Sequence, residues 1–180
     1  MLGITMNVEN DEVIHQLLKE NKAFQKKYAT ESEKHVKGQS PKIAVLTCAD
    51  SRVIPEHIFQ AGVGEIFVVR IAGNIAVDET VIASLEYAVD HLHISHLIIL
   101  AHTHCGAVKA AEEAGHSTSL LLSEIQKSFT LKKDHVLANL NRQLQLLPQR
   151  SESIKHAIEN DSLHLIAALY HIEDGNVEFF

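Results

Sequence analysis

Two apolar runs end in turns that hold the only two cysteines of the chain, and this coincidence constrains the fold more than any other feature. Ile43-Ala44-Val45-Leu46-Thr47 leads into Cys48-Ala49-Asp50-Ser51-Arg52, and Leu97-Ile98-Ile99-Leu100-Ala101 leads into His102-Thr103-His104-Cys105-Gly106. Runs this apolar, without polar alternation, suit strands covered on both faces, as in parallel sheets. In open sheets of that kind, chemistry collects beyond the carboxyl ends of the strands, so turns far apart in sequence can meet in space.

The segments between these runs supply the crossovers that parallel strands need. Residues 10–29 place Val13, Leu17, Leu18 and Phe24 at helical spacings, with Asn10 as the expected cap and Asp11 and Glu12 in the first turn. Pro55 suits the first turn of a short helix running to Gln60. A second strand is expected over 65–71, and Ile66-Phe67-Val68-Val69 is too apolar for an edge strand exposed on one face. After a turn at Ala72-Gly73-Asn74, Val81, Leu85, Ala88 and Val89 predict a helix over 77–91. The third strand covers 96–101 and a helix follows over 107–113. Residues 117–147 read as helix in two or three pieces, broken before Asp134 and ended by Pro148. Ser151 caps a helix over 151–159. The fourth strand covers 163–170, and Asp174-Gly175 turns the chain into a short antiparallel strand over 177–180.

The expected fold is therefore α/β: a mostly parallel four-stranded sheet with a short C-terminal antiparallel edge strand, flanked by helices. The 180 residues suit one domain, 1–180, with 1–30 as an N-terminal helical arm. A net charge of −7 argues against nucleic acid as a partner, and no apolar run is long enough for membrane insertion. The N-terminal residues lack the basic segment of a secretion signal, so the expected location is cytoplasmic, where thiols stay reduced.

His102 and Cys105, one turn apart at a strand-to-helix junction, can chelate one ion, and Cys48 supplies a third ligand from the neighbouring strand. Two sulfurs and one nitrogen suit tetrahedral Zn²⁺, with the fourth position open as catalytic sites require. The competing reading is that both cysteines are small buried hydrophobes; their place in turns beside Asp50, Arg52 and His102 favours metal. His104 would have to point the same way as Cys105 to compete as a ligand, so it is expected to face solvent or to support the ligands from behind. Asp50 and Arg52 admit two readings. They form a salt bridge that fastens the turn, or they govern the fourth position, with the forked guanidinium holding the carboxylate off the metal.

These motifs resemble the β-class carbonic anhydrases. The resemblance rests on Cys-x-Asp-Ser-Arg at Cys48 to Arg52, Phe-Val-Val-Arg-x-Ala-Gly-Asn at Phe67 to Asn74, Glu-Tyr-Ala-Val-x-His-Leu at Glu86 to Leu92, and His-Thr-x-Cys-Gly-Ala-Val at His102 to Val108. It implies zinc on Cys48, His102 and Cys105, the dyad Asp50 and Arg52, and reversible hydration of CO₂ to bicarbonate by zinc-bound hydroxide. It also implies that Gln39 donates its amide to a substrate oxygen and that Phe67 and Tyr87 line a narrow pocket. Tyr87 and His91, at i and i+4, resemble the family's proton relay, for which a histidine titrating near neutrality is suited. The family branch that binds an inhibitory bicarbonate carries tryptophan at the position of Val45. This chain has no tryptophan, so an open site with Asp50 held by Arg52 is expected. A homodimer or homotetramer is implied by the resemblance and by apolar residues left over in the first helix and last strand. The rival readings are a COS or CS₂ hydrolase on the same scaffold, a non-catalytic protein stapled by zinc, and an enzyme with Cys105 as nucleophile.

Overall fold

The computed structural model describes residues 11–29, 35–129 and 134–180. The chain divides into two compact units, Met1–Gly38 and Gln39–Phe180. The first carries helix α1 (Glu12–Tyr28), capped by the Asp11 carboxylate, which accepts from the N–H groups of Val13 and Ile14. Asn10, the expected cap, lies outside the described residues. No residue of α1 is buried, and Val13, Leu17, Leu18 and Phe24 are exposed.

The second unit holds β1 (Ile43–Thr47), α2 (Pro55–Ile58), β2 (Ile66–Arg70), a single 3₁₀ turn (Ala72–Asn74), α3 (Glu79–Asp90), β3 (His96–His102), α4 (Gly106–Glu113), α5 (Leu120–Gln126), α6 (His135–Arg150), α7 (Glu152–Glu159), β4 (His164–Tyr170) and β5 (Val177–Phe179). The strands form one sheet in the order β2-β1-β3-β4-β5, parallel throughout except for the antiparallel β5. Four parallel strands with an antiparallel edge are what the alternating pattern predicts. Among the described residues, no helix is long and apolar enough to cross a membrane.

The core lies on the faces of β1 and β3, where Ala44, Leu46, Leu97 and Ile99 pack with Leu85 of α3, Leu140 and Leu147 of α6 and Ile154 of α7. Each such leucine or isoleucine stabilises the fold by about 1.5–3 kcal/mol through burial. At the end of the sheet that carries the cysteines, Thr47 is fully buried and donates its hydroxyl to Leu100 O at 2.9 Å, tying β1 to β3 where both strands run out.

Two expectations need correction. β2 is an edge strand, and its Ile66 to Val69 are half-buried. Phe67 and Val69 pack on the core beneath α3, so its apolar composition reports covered faces and is silent about hydrogen-bonding neighbours. Pro148 does not end α6, which runs on to Arg150. A proline this close to the C-terminus removes one helical N–H, and the loss is outweighed by burial of Leu147 and by Arg150 donating to Val77 O at 3.0 Å. The remaining elements match the sequence pattern within a few residues; α3, for example, starts at Glu79 because Asp78 accepts from Thr80 N as its cap.

Candidate metal centre

β1 and β3 are hydrogen-bonded neighbours in register, Thr47 opposite Leu100, so the turns that follow them emerge side by side. Cys48 leaves β1, His102 ends β3, and Cys105 is the N-cap residue of α4. Their ligand atoms all lie within 4.8 Å of one another, with the two sulfurs 3.9 Å apart. All three side chains are buried. Two thiolates each about 2.3 Å from a tetrahedral zinc lie roughly 3.8 Å apart, so the sulfur spacing fits that ion.

The imidazole is set for the same task. His102 Nδ1 lies 2.9 Å from Thr103 O and, because a carbonyl only accepts, carries the proton. Nε2 is left as the acceptor; it is buried and has no hydrogen-bond partner among the described residues. A buried lone pair facing two sulfurs is costly unless a cation takes it up. Gly73 N–H donates to Cys48 Sγ at 3.3 Å. The sulfurs compete for one proton: the hydrogen bond with Cys105 lowers the Cys48 pKa against the opposing effect of burial, and the Gly73 N–H lowers it further. The bond to Cys48 together with burial pushes the Cys105 thiol up.

Asp50 and Arg52 form a two-pronged pair beside this cluster. Arg52 Nε donates to Oδ1 at 3.0 Å and its terminal NH₂ to Oδ2 at 2.8 Å, while Arg52 N also donates to Oδ1 at 3.0 Å. The pairing with Arg52 holds the Asp50 carboxyl well below the usual carboxylate range. Oδ2 lies 3.9 Å from His102 Nε2, close enough to face whatever the three ligands hold. The guanidinium is anchored in turn by His104 O at 3.2 Å.

Phe67, Tyr87 and His91 are brought together elsewhere on the same unit, with ring centroids 6.2 Å apart for Phe67–Tyr87 and 5.1 Å for Tyr87–His91. Phe67 is half-buried; Tyr87, His91 and Gln39 are exposed. His104 faces solvent, as its place beside Cys105 implies, and bonds to Glu173 Oε1 at 2.7 Å.

Several supporting residues escaped the sequence reading. Arg70 donates to Asp50 O at 2.7 Å, and Gly73 reaches Cys48; both lie inside the Phe67–Asn74 motif, where Arg70 passed as a strand residue and Gly73 as a turn residue. Glu173, from the β4–β5 turn, accepts from the Thr103 hydroxyl at 2.7 Å, and that hydroxyl accepts from Ile172 N at 3.0 Å. Asn139 and Gln143, buried at i and i+4 on α6, were absorbed into a helical stretch. Two amides at that spacing on a buried face were the available signal.

The carbonic anhydrase family model matches residues 43–177. Carbonic anhydrase 2 of Mycobacterium tuberculosis is 33% identical over 153 residues, which is 77% of this chain and 73% of that protein. One of two tetrameric β-carbonic anhydrases from Sordaria macrospora has a TM-score of 0.82 at 25% identity, covering 94% of this chain and 98% of that one. The Coccomyxa β-carbonic anhydrase in complex with acetazolamide has a TM-score of 0.79 at 27% identity, covering 92% and 85%.

Proposed function

Because the chain belongs to the β-carbonic anhydrase family, we propose that it hydrates CO₂ reversibly to bicarbonate and a proton, with zinc held by Cys48, His102 and Cys105. The observation that carries this reading is the unpaired, buried Nε2 of His102 facing two sulfurs beside a carboxylate forked by arginine. Zinc, when bound, supplies the positive charge that lets water act as a nucleophile near neutral pH. Asp50 would accept a hydrogen bond from the attacking water and orient its lone pair toward CO₂. Arg52 keeps Asp50 from turning in to take the fourth position itself, since both carboxylate oxygens are already engaged.

On the family resemblance, Phe67 and Tyr87 are assigned to the apolar lining, completed by the partner subunit, that favours a linear, uncharged substrate over water. Tyr87 and His91, in ring contact, carry the released proton toward solvent. Gln39 is assigned the amide that holds a substrate oxygen on the family resemblance alone. The assembly we propose is a homodimer or homotetramer in the cytoplasm; exposed Leu17, Leu18 and Phe24 on α1 and Phe179 and Phe180 at the chain end support association. Light scattering coupled to size exclusion tests it, and a monomer would remove it.

Stopped-flow CO₂ hydration, with zinc measured on the same samples from pH 6.5 to 9, tests the function. Activity proportional to zinc and rising with pH is expected. Full zinc without hydration would shift the assignment to COS or CS₂ as substrate or to a structural metal, and absence of zinc would remove the reading altogether.

A further inference from the structure

We propose that Asn139 is a positioning residue for the metal centre: from the middle of α6 it locks the Gly73 turn so that the Gly73 N–H is held on the Cys48 sulfur. The proposal rests on Cys48 being a zinc ligand.

Asn139 and Gln143 are both buried, at 1% and 0% exposure, on a helix that otherwise presents leucine to the core. Their amides are fully directed. Ala76 N donates to Gln143 Oε1 at 2.8 Å, Gln143 Nε2 donates to Asn139 Oδ1 at 2.9 Å, and Asn139 Nδ2 donates to Gly73 O at 2.8 Å. Gly73 therefore spends both its backbone groups, its carbonyl on Asn139 and its N–H on Cys48 Sγ.

Glycine is required at this position and is also the weak point of the turn. Its φ is +69°, which side-chain-bearing residues rarely adopt, and a Cβ would lie 2.6 Å from Ile125 Cδ1, so a side chain here is strained and forces Ile125 to move. Glycine rotates more freely than any other residue, so nothing intrinsic keeps its peptide groups aimed. A buried amide with no freedom of its own removes that rotation. An N–H bond to a ligating sulfur draws charge from it and sets how strongly it donates to the metal. Asn139 thus acts on the ligand through one intervening residue, and Gln143 acts on Asn139 and the neighbouring turn without touching Gly73.

Three measurements on full-length, metal-loaded protein test this. First, in ¹¹³Cd-loaded wild type, the Gly73 amide proton should show scalar coupling to cadmium through Cys48; no coupling would overturn the proposal without any mutation. Second, N139L should release zinc to an excess of chromophoric chelator about tenfold faster than wild type, at the low end of the range for residues behind metal ligands. Third, the sulfur-to-cobalt charge-transfer band of Co²⁺-loaded N139L should shift. Q143L, which loosens the Asn139 amide but keeps its donor to Gly73, should lower Tm as N139L does yet raise the release rate and shift the band clearly less than N139L. Equal behaviour of the two variants would reduce Asn139 to a packing role and overturn the proposal. Wild type that holds no metal on Cys48, seen as metal content unchanged in C48A, would overturn both this and the functional reading, whereas metal on Cys48 with normal release from N139L would overturn this one alone.

Discussion

Cys48 Sγ and Cys105 Sγ, 57 residues apart in the chain, lie 3.9 Å from each other, and only one of them holds a thiolate easily when no cation is present. Metal binding to both sulfurs must therefore displace the proton that the pair shares. Apparent zinc affinity should fall about tenfold for each pH unit below neutrality per proton displaced. Calorimetric titration of the zinc-stripped protein in buffers of different ionisation enthalpy would count that proton. A binding enthalpy independent of buffer would contradict the shared-proton arrangement. Chelation should also lower Tm, since an ion that binds only the folded chain stabilises it.

Arg52→Ala should leave zinc in place and lower kcat/KM by roughly 10- to 100-fold, because Asp50 is then free to turn toward the metal. Arg52→Lys keeps the charge without the fork and should recover only part of the loss. The pH dependence has a defined sign. Arg52 depresses the folded-state pKa of Asp50, so the stability it contributes is complete above the ordinary carboxylate range and is lost only as pH falls through the depressed value. Any acid limb of wild-type activity above pH 5 must then arise from a group other than Asp50.

His91→Ala should lower turnover in dilute buffer and regain it when imidazole is added, because an external base then carries the proton from the Tyr87 face. Turnover unchanged at low buffer concentration would take His91 out of the proton path.

Gly73→Ala should destabilise the protein by about 2 kcal/mol or more, combining a left-handed backbone with a side chain forced onto Ile125. Thermal unfolding of the zinc-loaded variant measures it. A Tm within a degree of wild type would mean that the turn can be rebuilt.

The clustering of Cys48, His102 and Cys105 beside Asp50 and Arg52 was legible in the sequence because each turn follows directly on an apolar strand, and strand ends fix where turns begin. Four of the five strands could be read from continuous apolar runs, and the short β5 from the Asp174-Gly175 turn ahead of it. What could not be read was where β2 sits in the sheet and which distant segments close on the cysteine turns. The place of β2 at the sheet edge leaves no mark on Ile66-Phe67-Val68-Val69, of which Phe67 and Val69 pack on the core. Gly73, Asn139 and Glu173 support the centre from segments whose proximity only the closed sheet creates. The cap of α1 also went to the neighbour of the residue expected, since Asn10 and Asp11 are both good acceptors and spacing does not choose between them.

The parallel pairing of β1 with β3 has a consequence for how the protein acquires its ion. Closing a loop of 57 residues costs about 3–4 kcal/mol of chain entropy beyond a constant, and no stretch within it holds both sulfurs. A growing chain therefore has no two-sulfur chelate to offer until Cys105 has been made and β3 has docked beside β1. Premature capture of a soft metal by a nascent fragment is disfavoured by this arrangement. The rate at which refolding protein takes up zinc then becomes a clock for the central crossover of the sheet.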